Sequence, residues 1–246
     1  MFALKSGTIF TPTKICKDAH IIVDKGKIVK LAKTVPKNVK VYSYENCIIS
    51  PGFVDIHTHG GFGVDLMVSN ASDIKKFIEK LPETGVTSFV PSTVTDSFEN
   101  LKKVSEKIST IRCERGSEIV GIHFEGPYLN PEMAGAQSKK HIRSPSIEEV
   151  KVLSSFFNNV AKRLTLAPEV DDGINFIRTL NGLGIIASIG HTNASYEQAV
   201  QAFSAGARIV THIFNGMRAF HHREPGVAGA ALIYPNAYVE NILDWI

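Results

Sequence analysis

From Phe53 onward, short apolar runs alternate with longer stretches in which apolar residues recur every three or four positions. The short runs read as strands and the longer recurrence as amphipathic helices. Strands are predicted over Phe53–Ile56, Val86–Val90, Ile119–Phe124, Leu164–Ala167, Ile185–Ile189 and Arg208–His212, with a seventh over Tyr238–Leu243. Helices are predicted from Ser72 to Glu83, Ser97 to Arg112, Ser146 to Phe157, Asp172 to Leu183 and Ser195 to Ala205. Strands alternating with helices imply a parallel sheet with right-handed crossovers. No Gly-x-Gly-x-x-Gly opens a helix after the first strand, so a dinucleotide-type sheet is disfavoured. Polar residues instead follow nearly every strand. That pattern favours an α/β fold of the TIM-type barrel kind, with about six to seven strands read along the chain.

Residues 1–50 carry a different pattern. Phe2–Phe10, His20–Val23, Lys27–Leu31, Val39–Tyr44 and Cys47–Ile49 read as strands, with Asp24-Lys25-Gly26 as a hairpin turn. The expectation is a small antiparallel β subdomain over 1–50 and a barrel over 51–246.

Composition narrows the function classes. The 246 residues carry a net charge of only +3 and no dense Lys/Arg run, which argues against a nucleic-acid partner. Three widely spaced cysteines without a Cys-x-x-Cys pair fit a reducing compartment. The N-terminus lacks the apolar core of a signal peptide, and no apolar run is long enough to span a bilayer. The expected location is the cytoplasm, with no membrane partner.

The candidate chemistry sits at the predicted strand ends. Phe53–Ile56 reads as a short buried strand, followed by His57 and His59, which strand alternation places on one face. Gly60, Gly61 and Gly63 then allow a sharp turn. Alone, this pair leaves open a metal site and two loop histidines at the surface. His123 and Glu125 close the third strand, Glu169 follows the fourth, His191 the fifth and His212 the sixth. Four histidines (57, 59, 191 and 212) and Glu125 at corresponding strand ends suit Zn²⁺ or Fe²⁺, which a mixed N/O donor set does not separate. His221-His222-Arg223 in the following loop suits a phosphate, and suits a solvated charged loop equally.

In this order, PGFVDIHTHGG, HFEGPYLNPEMAGAQ, LAPE, GHTNASYEQA and THIFNGMRAFHHREPG resemble the N-acetylglucosamine-6-phosphate deacetylase family of metal-dependent amidohydrolases. The resemblance implies a (β/α)8 barrel with a small β domain. It implies Glu125, His191 and His212 as ligands of the main metal, and His57 and His59 as holders of a second, giving one or two ions. It implies Asn215, Gly216 and Arg223 as contacts of an amino-sugar phosphate, with Arg223 able to serve the neighbouring subunit of a homodimer. Gly135-Ala136-Gln137 corresponds to a loop beside the sugar, and Gln137 stands where other members have His; Gly216 stands where Ala is more usual. The implied reaction is hydrolysis of the acetamide of N-acetylglucosamine 6-phosphate. Its general acid/base is expected to be an aspartate beyond Ile246, a role that Asp244 does not take over, so no catalytic acid/base is assigned within the chain and a chain ending at Ile246 is expected to be impaired. Two alternatives stand beside this reading. One is a cyclic-amide hydrolase, disfavoured because those use a carbamylated lysine where Glu125 stands. The other is a non-catalytic protein that binds a metal or a sugar phosphate.

Overall fold

At Lys25 and Gly26 the backbone turns with φ of 48° and 76°, closing a two-residue hairpin of the kind that needs positive φ at both positions. The computed structural model that contains it describes residues 1–158 and 160–243; Asp244 lies outside them. The chain divides into two units, Met1–Phe53 and Val54–Ile246.

In the first unit, β1 (Phe2–Phe10), β2 (Ile15–Asp24) and β3 (Lys27–Ala32) pair antiparallel in series. The chain then crosses to the other edge of β1, where β4 (Lys40–Ser43) and β5 (Ile48–Ile49) both run parallel to it. The sheet is therefore mixed, not antiparallel as expected. Only the β1–β3 meander carries hairpin turns, and the longer 33–39 connection permits the crossover. Ile9, Ala19 and Ile21 form its core, covered by Leu4, Cys16, Val23 and Ile49.

The second unit is built on a curled parallel sheet. β6 (Phe53–Thr58) is followed by a small ribbon of β7 (Gly60–Gly61) and β8 (Val64–Asp65). Gly60, at φ 127°, leaves no room there for a Cβ, which would stand 2.1 Å from the Val64 carbonyl oxygen. Then come α1 (Ala71–Lys80), β9 (Val86–Thr93), α2 (Phe98–Thr110), β10 (Glu118–Ile119), β11 (Gly121–Glu125) and α3 (Ile147–Ser155). β12 (Ala161–Leu166), α4 (Gly173–Gly182), β13 (Ile186–Ile189), α5 (Tyr196–Ala205), β14 (Ile209–Val210), α6 (Gly226–Ile233) and β15 (Tyr238–Val239) complete it. The strand order is β6-β9-β11-β12-β13-β14-β15, with β10 beside β9 below β11. This is the curled sheet of a TIM-type barrel, as the β/α alternation predicts.

Strand alternation sorts side chains between two environments. On β11 to β13, Ile122, Phe124, Leu164, Leu166, Ala187 and Ile189 point to the helices and join Leu101, Ile108, Leu153, Ile177 and Phe203 in one apolar core. Their neighbours His123, Glu125, Arg163, Thr165 and Ser188 are buried on the opposite, polar face. The strands thus bury both faces, as parallel barrel strands do.

Four local details differ from expectation. The β6 strand is not buried: Phe53, Val54 and Ile56 are exposed, because β6 joins only β9 within the sheet and its outer side lies open. Helix α1 is capped by Asn70, whose side chain accepts from the Asp73 amide, not by Ser72. β14 and β15 are two residues each, shorter than Arg208–His212 and Tyr238–Leu243. Helix α6 was not anticipated in the loop after the sixth strand. Its sequence GVAGAALI has no polar face, so no 3.6-residue alternation marks it, and Gly226–Ala231 are buried.

Helix α5 begins with a full capping box: Ser195 accepts from the Gln198 amide while the Gln198 side chain accepts from Ser195 N–H. The Ser195→Ala variant is expected to lose about 1 kcal/mol of unfolding free energy. Urea denaturation followed by circular dichroism measures it; an unchanged midpoint refutes the assignment.

Candidate metal centre

The C-terminal strand ends converge. His57 lies on β6 and His59 just after it; Glu125 ends β11; His191 and His212 each stand two residues past a strand. Among the described residues two groups able to hold a metal ion result, His57/His59/Glu125 and Glu125/His191/His212, and Glu125 belongs to both. Its Oε1 lies 3.1 Å from His191 Nε2 and 3.0 Å from His212 Nε2. Its Oε2 lies 3.1 Å from His59 Nε2, while His57 Nε2 is 3.5 Å from Oε1.

The orientation of each ring is set from behind. His191 Nδ1 donates to the Met133 carbonyl at 3.0 Å and His212 Nδ1 to the Asn215 carbonyl at 3.0 Å. His59 Nδ1 donates to the Ser92 carbonyl at 3.2 Å, and His57 Nδ1 to the Glu240 carboxylate at 3.1 Å. With Nδ1 carrying a proton in all four, every Nε2 is turned inward. His57 and His59 bring theirs to 3.2 Å, and His191 and His212 to 3.1 Å. Neutral rings so arranged face each other lone pair to lone pair, which is repulsive without a cation between them. Two ligand nitrogens of a tetrahedral Zn²⁺ stand about 3.3 Å apart when each is 2.0–2.1 Å from the ion. The donor set therefore fits a divalent metal in either group, and outward Nδ1–H bonds are the usual support of metal-binding histidines.

Electrostatics agree. Burial acts most strongly on Glu125 and works to raise its pKa, but His191, His212, His57 and His59, which donate from Nε2 when a ring also carries a proton there, overcome it and hold the carboxyl of the metal-free site well below its usual range. Burial likewise works against the charged form of His57, yet Glu125 and Glu240 outweigh it and raise its pKa to about 9. His123 is different. Burial first, then the Arg163 charge, push its pKa well down, so it is neutral and bonded to Ser92 Oγ at 2.9 Å and Thr165 Oγ1 at 2.7 Å in the barrel interior.

The loops that carry the ligands are themselves braced. His191 and His212 adopt left-handed backbone, with φ of 48° and 32°, conformations that cost roughly 1–3 kcal/mol each for a non-glycine residue. Glu169 accepts from the Asn193 amide at 2.6 Å and from Thr192 Oγ1 at 2.5 Å, fixing the loop around His191. Gly190 must lack a side chain there, since a Cβ would stand 2.8 Å from both Thr165 and Thr211.

The ligand cluster opens into a cavity of about 860 Å³, lined in part by His57, His59, Glu125, Gln137, His191, His212 and Glu240. That size suits a small-molecule ligand. Gln137 is engaged at the cluster itself: its Oε1 accepts from the Thr95 amide at 2.7 Å, which turns its Nε2 toward Glu125 Oε2, also 2.7 Å away. Asn215 supplies its backbone carbonyl to His212, and Gly216 packs against His191, where a Cβ would stand 3.0 Å from Nδ1. Arg223 is exposed on the 218–225 loop, outside the lining of this cavity. Sequence reasoning passed over Glu240 and Arg163. Only Glu240 carried a signal, standing just past a strand as His59 does; Arg163 follows Lys162 in the strand sequence AKRLTL, and nothing in the sequence singles it out.

The chain belongs to the amidohydrolase family, whose description matches residues 48–244. Within that family it is similar to the N-acetylglucosamine-6-phosphate deacetylases of Bacillus subtilis, at 36% identity over 99% of this chain and 63% of that protein, and of Vibrio furnissii, at 35% over 80% and 50%. A variant N-acetyl-D-glucosamine-6-phosphate deacetylase from Mycobacterium smegmatis, solved in complex with N-acetyl-D-glucosamine-6-phosphate, superposes with a TM-score of 0.86 at 29% identity, over 98% of this chain and 62% of that one. The chain thus spans about half to two thirds of the length of these relatives. Among the described residues no helix is long and apolar enough to cross a membrane.

Proposed function

We propose that the chain carries the metal centre and sugar-phosphate cavity of a deacetylase that removes the acetyl group of N-acetylglucosamine 6-phosphate. The observation that carries this is the inward convergence of four Nε2 atoms on the shared Glu125 carboxylate, each ring locked from behind. The substrate class is supported by the relatives' activity and by the sugar phosphate bound to the Mycobacterium protein. In this reading Glu125, His191 and His212 hold the main ion, Zn²⁺ or Fe²⁺, and His57 and His59 a second. A divalent ion in such a site supplies Lewis-acid polarisation of the amide carbonyl and acidifies water toward neutral pH. Gln137 holds the Glu125 carboxylate in place. Asn215 and Gly216 shape the wall behind His191 and His212, and Arg223 binds the phosphate, in a homodimer that of the neighbouring subunit.

Metal analysis and an acetate-release assay test the reading together. Residues 1–246, reconstituted with Zn²⁺ or Fe²⁺, are expected to bind two ions and N-acetylglucosamine 6-phosphate. Acetate release is expected to require the added ion and to be lost on chelation. Replacing His57 and His59 together with Gln and Asn is expected to reduce bound metal from about two ions to one. Turnover of a cyclic imide in place of the acetylated sugar refutes the substrate assignment. Binding with no acetate release identifies a non-catalytic sugar-phosphate protein.

A further inference from the structure

Three of the four converging histidines donate Nδ1–H to a neutral backbone carbonyl; His57 alone donates to a carboxylate. That carboxylate is itself held. Glu240 Oε1 forms a buried ion pair with Arg163, whose side chain is only 5% exposed. The other end of the Arg163 guanidinium donates to Ser188 Oγ at 3.0 Å and Thr211 Oγ1 at 2.8 Å. The Glu240 backbone is pinned as well, donating to the Val210 carbonyl at 2.9 Å and accepting from the Ile213 amide at 2.9 Å. Glu240 follows β15 at one end of the sheet order and His57 lies on β6 at the other. The pair therefore closes the polar face of the curl with side chains.

We infer that Glu240, anchored by Arg163, is a positioning residue for His57: it fixes the Nδ1–H form of the ring, aims Nε2 at Glu125 and selectively strengthens the His57/His59 metal group. This rests on the metal reading proposed above. A carboxylate behind a ligand imidazole fixes its tautomer and raises its basicity, and losing such a partner typically weakens metal binding about 10–100-fold. The other three histidines have a neutral carbonyl and not a carboxylate at Nδ1, so the effect is confined to one ion of the two.

The anchor makes a distinctive prediction for Glu240→Gln. The amide has one acceptor oxygen and one NH₂ group. Arg163, held by Ser188 and Thr211, offers only donors and claims the oxygen. The NH₂ then faces His57 Nδ1, which must accept, and the ring proton moves to Nε2, where it blocks the metal. Removing the arginine too, in R163M/E240Q, frees the amide oxygen to accept from Nδ1–H again.

Zn²⁺ titration calorimetry with metal analysis, on residues 1–246 of the wild type, E240Q, R163M and R163M/E240Q, decides the matter. The wild type is expected to take up two ions. E240Q is expected to bind one as before and the other about 100-fold more weakly, with R163M/E240Q regaining about tenfold of that loss. Equal affinity of E240Q and wild type for both ions overturns the inference. So does a double variant no better than E240Q, which marks a packing role. Should the wild type bind fewer than two ions, the two-ion reading fails. Long-range ¹H–¹⁵N spectra of His57 in the metal-free proteins at pH 10, where the ring is neutral, then decide the inference separately. A ring proton on Nδ1 in the wild type and on Nε2 in E240Q upholds it; the same tautomer in both overturns it.

Discussion

Alanine in place of Glu125 is expected to empty both metal groups at once. Glu125 is the one residue they share, with Oε1 facing His191 and His212 and Oε2 facing His59. Its side chain is only 3% exposed, so its charge is met by the surrounding rings more than by solvent. Removing it leaves four inward nitrogens with no carboxylate oxygen among them, the Glu240 carboxylate standing behind His57 at Nδ1. Truncating one partner of a buried charge pair commonly costs about 3–5 kcal/mol, or roughly 10²–10⁴-fold in affinity. Metal analysis of the purified variant should therefore read close to zero ions, against about one for the double His57/His59 variant. Acetate release, where the wild type shows it, should fall at least as steeply. One ion retained by E125A shows that His191 and His212 suffice, and removes Glu125 from the centre of the site.

Metal affinity of the His57/His59 group is expected to climb about tenfold per pH unit from about pH 6.5 to about 9, then level off. His57 in the metal-free chain has its pKa raised from 6.5 to about 9, with burial opposing and the Glu125 and Glu240 hydrogen bonds prevailing. Below that value an incoming ion must displace a proton. At pH 7 the displacement costs about 3 kcal/mol. The same proton stabilises the metal-free fold. Because the folded pKa is the higher one, its contribution is complete below pH 6.5 and disappears as pH rises through 9. Glu240 behaves oppositely. Burial works to raise its pKa, but His57 and Arg163 bring it down to about 2, so its contribution is present above pH 4.5 and is lost as pH falls toward 2. The metal-free chain should therefore melt highest between about pH 4.5 and 6.5, and bound Zn²⁺ should abolish the decline on the alkaline side. Titration calorimetry in a pH series, with thermal melts at matched pH, measures both. An affinity that is flat across that range excludes a proton on His57.

What the sequence made legible follows from what periodicity encodes. Alternation alone put His57 and His59 on one face, and β/α alternation put Glu125, His191 and His212 at one end of the sheet, where they stand. The exposure of Phe53 and Val54 was not legible, because an apolar run reads the same on a covered strand and on an edge. Helix α6 escaped for the converse reason: apolar throughout and buried from Gly226 to Ala231, it has no polar positions to set a period. Arg163 and Glu240 show the harder limit. Their partnership joins strands 77 residues apart in the chain, and only the curl of the sheet brings them together. Gln137 likewise needs the loop geometry that hands its oxygen to Thr95 before its approach to Glu125 becomes readable.

The left-handed backbone at His191 and His212 shapes the routes by which this chain could drift away from metal binding. In that conformation glycine is unstrained, asparagine and aspartate are tolerated, and alanine is not favoured. Once metal is no longer selected, Asn and Gly become the accessible replacements at both positions, each relieving strain that histidine bears. At Glu125, on a regular strand, no such relief exists. Related sequences that have lost the centre should therefore show Asn or Gly at the two loop positions earlier than any change at the carboxylate, a substitution order set by φ angles and not by coordination chemistry.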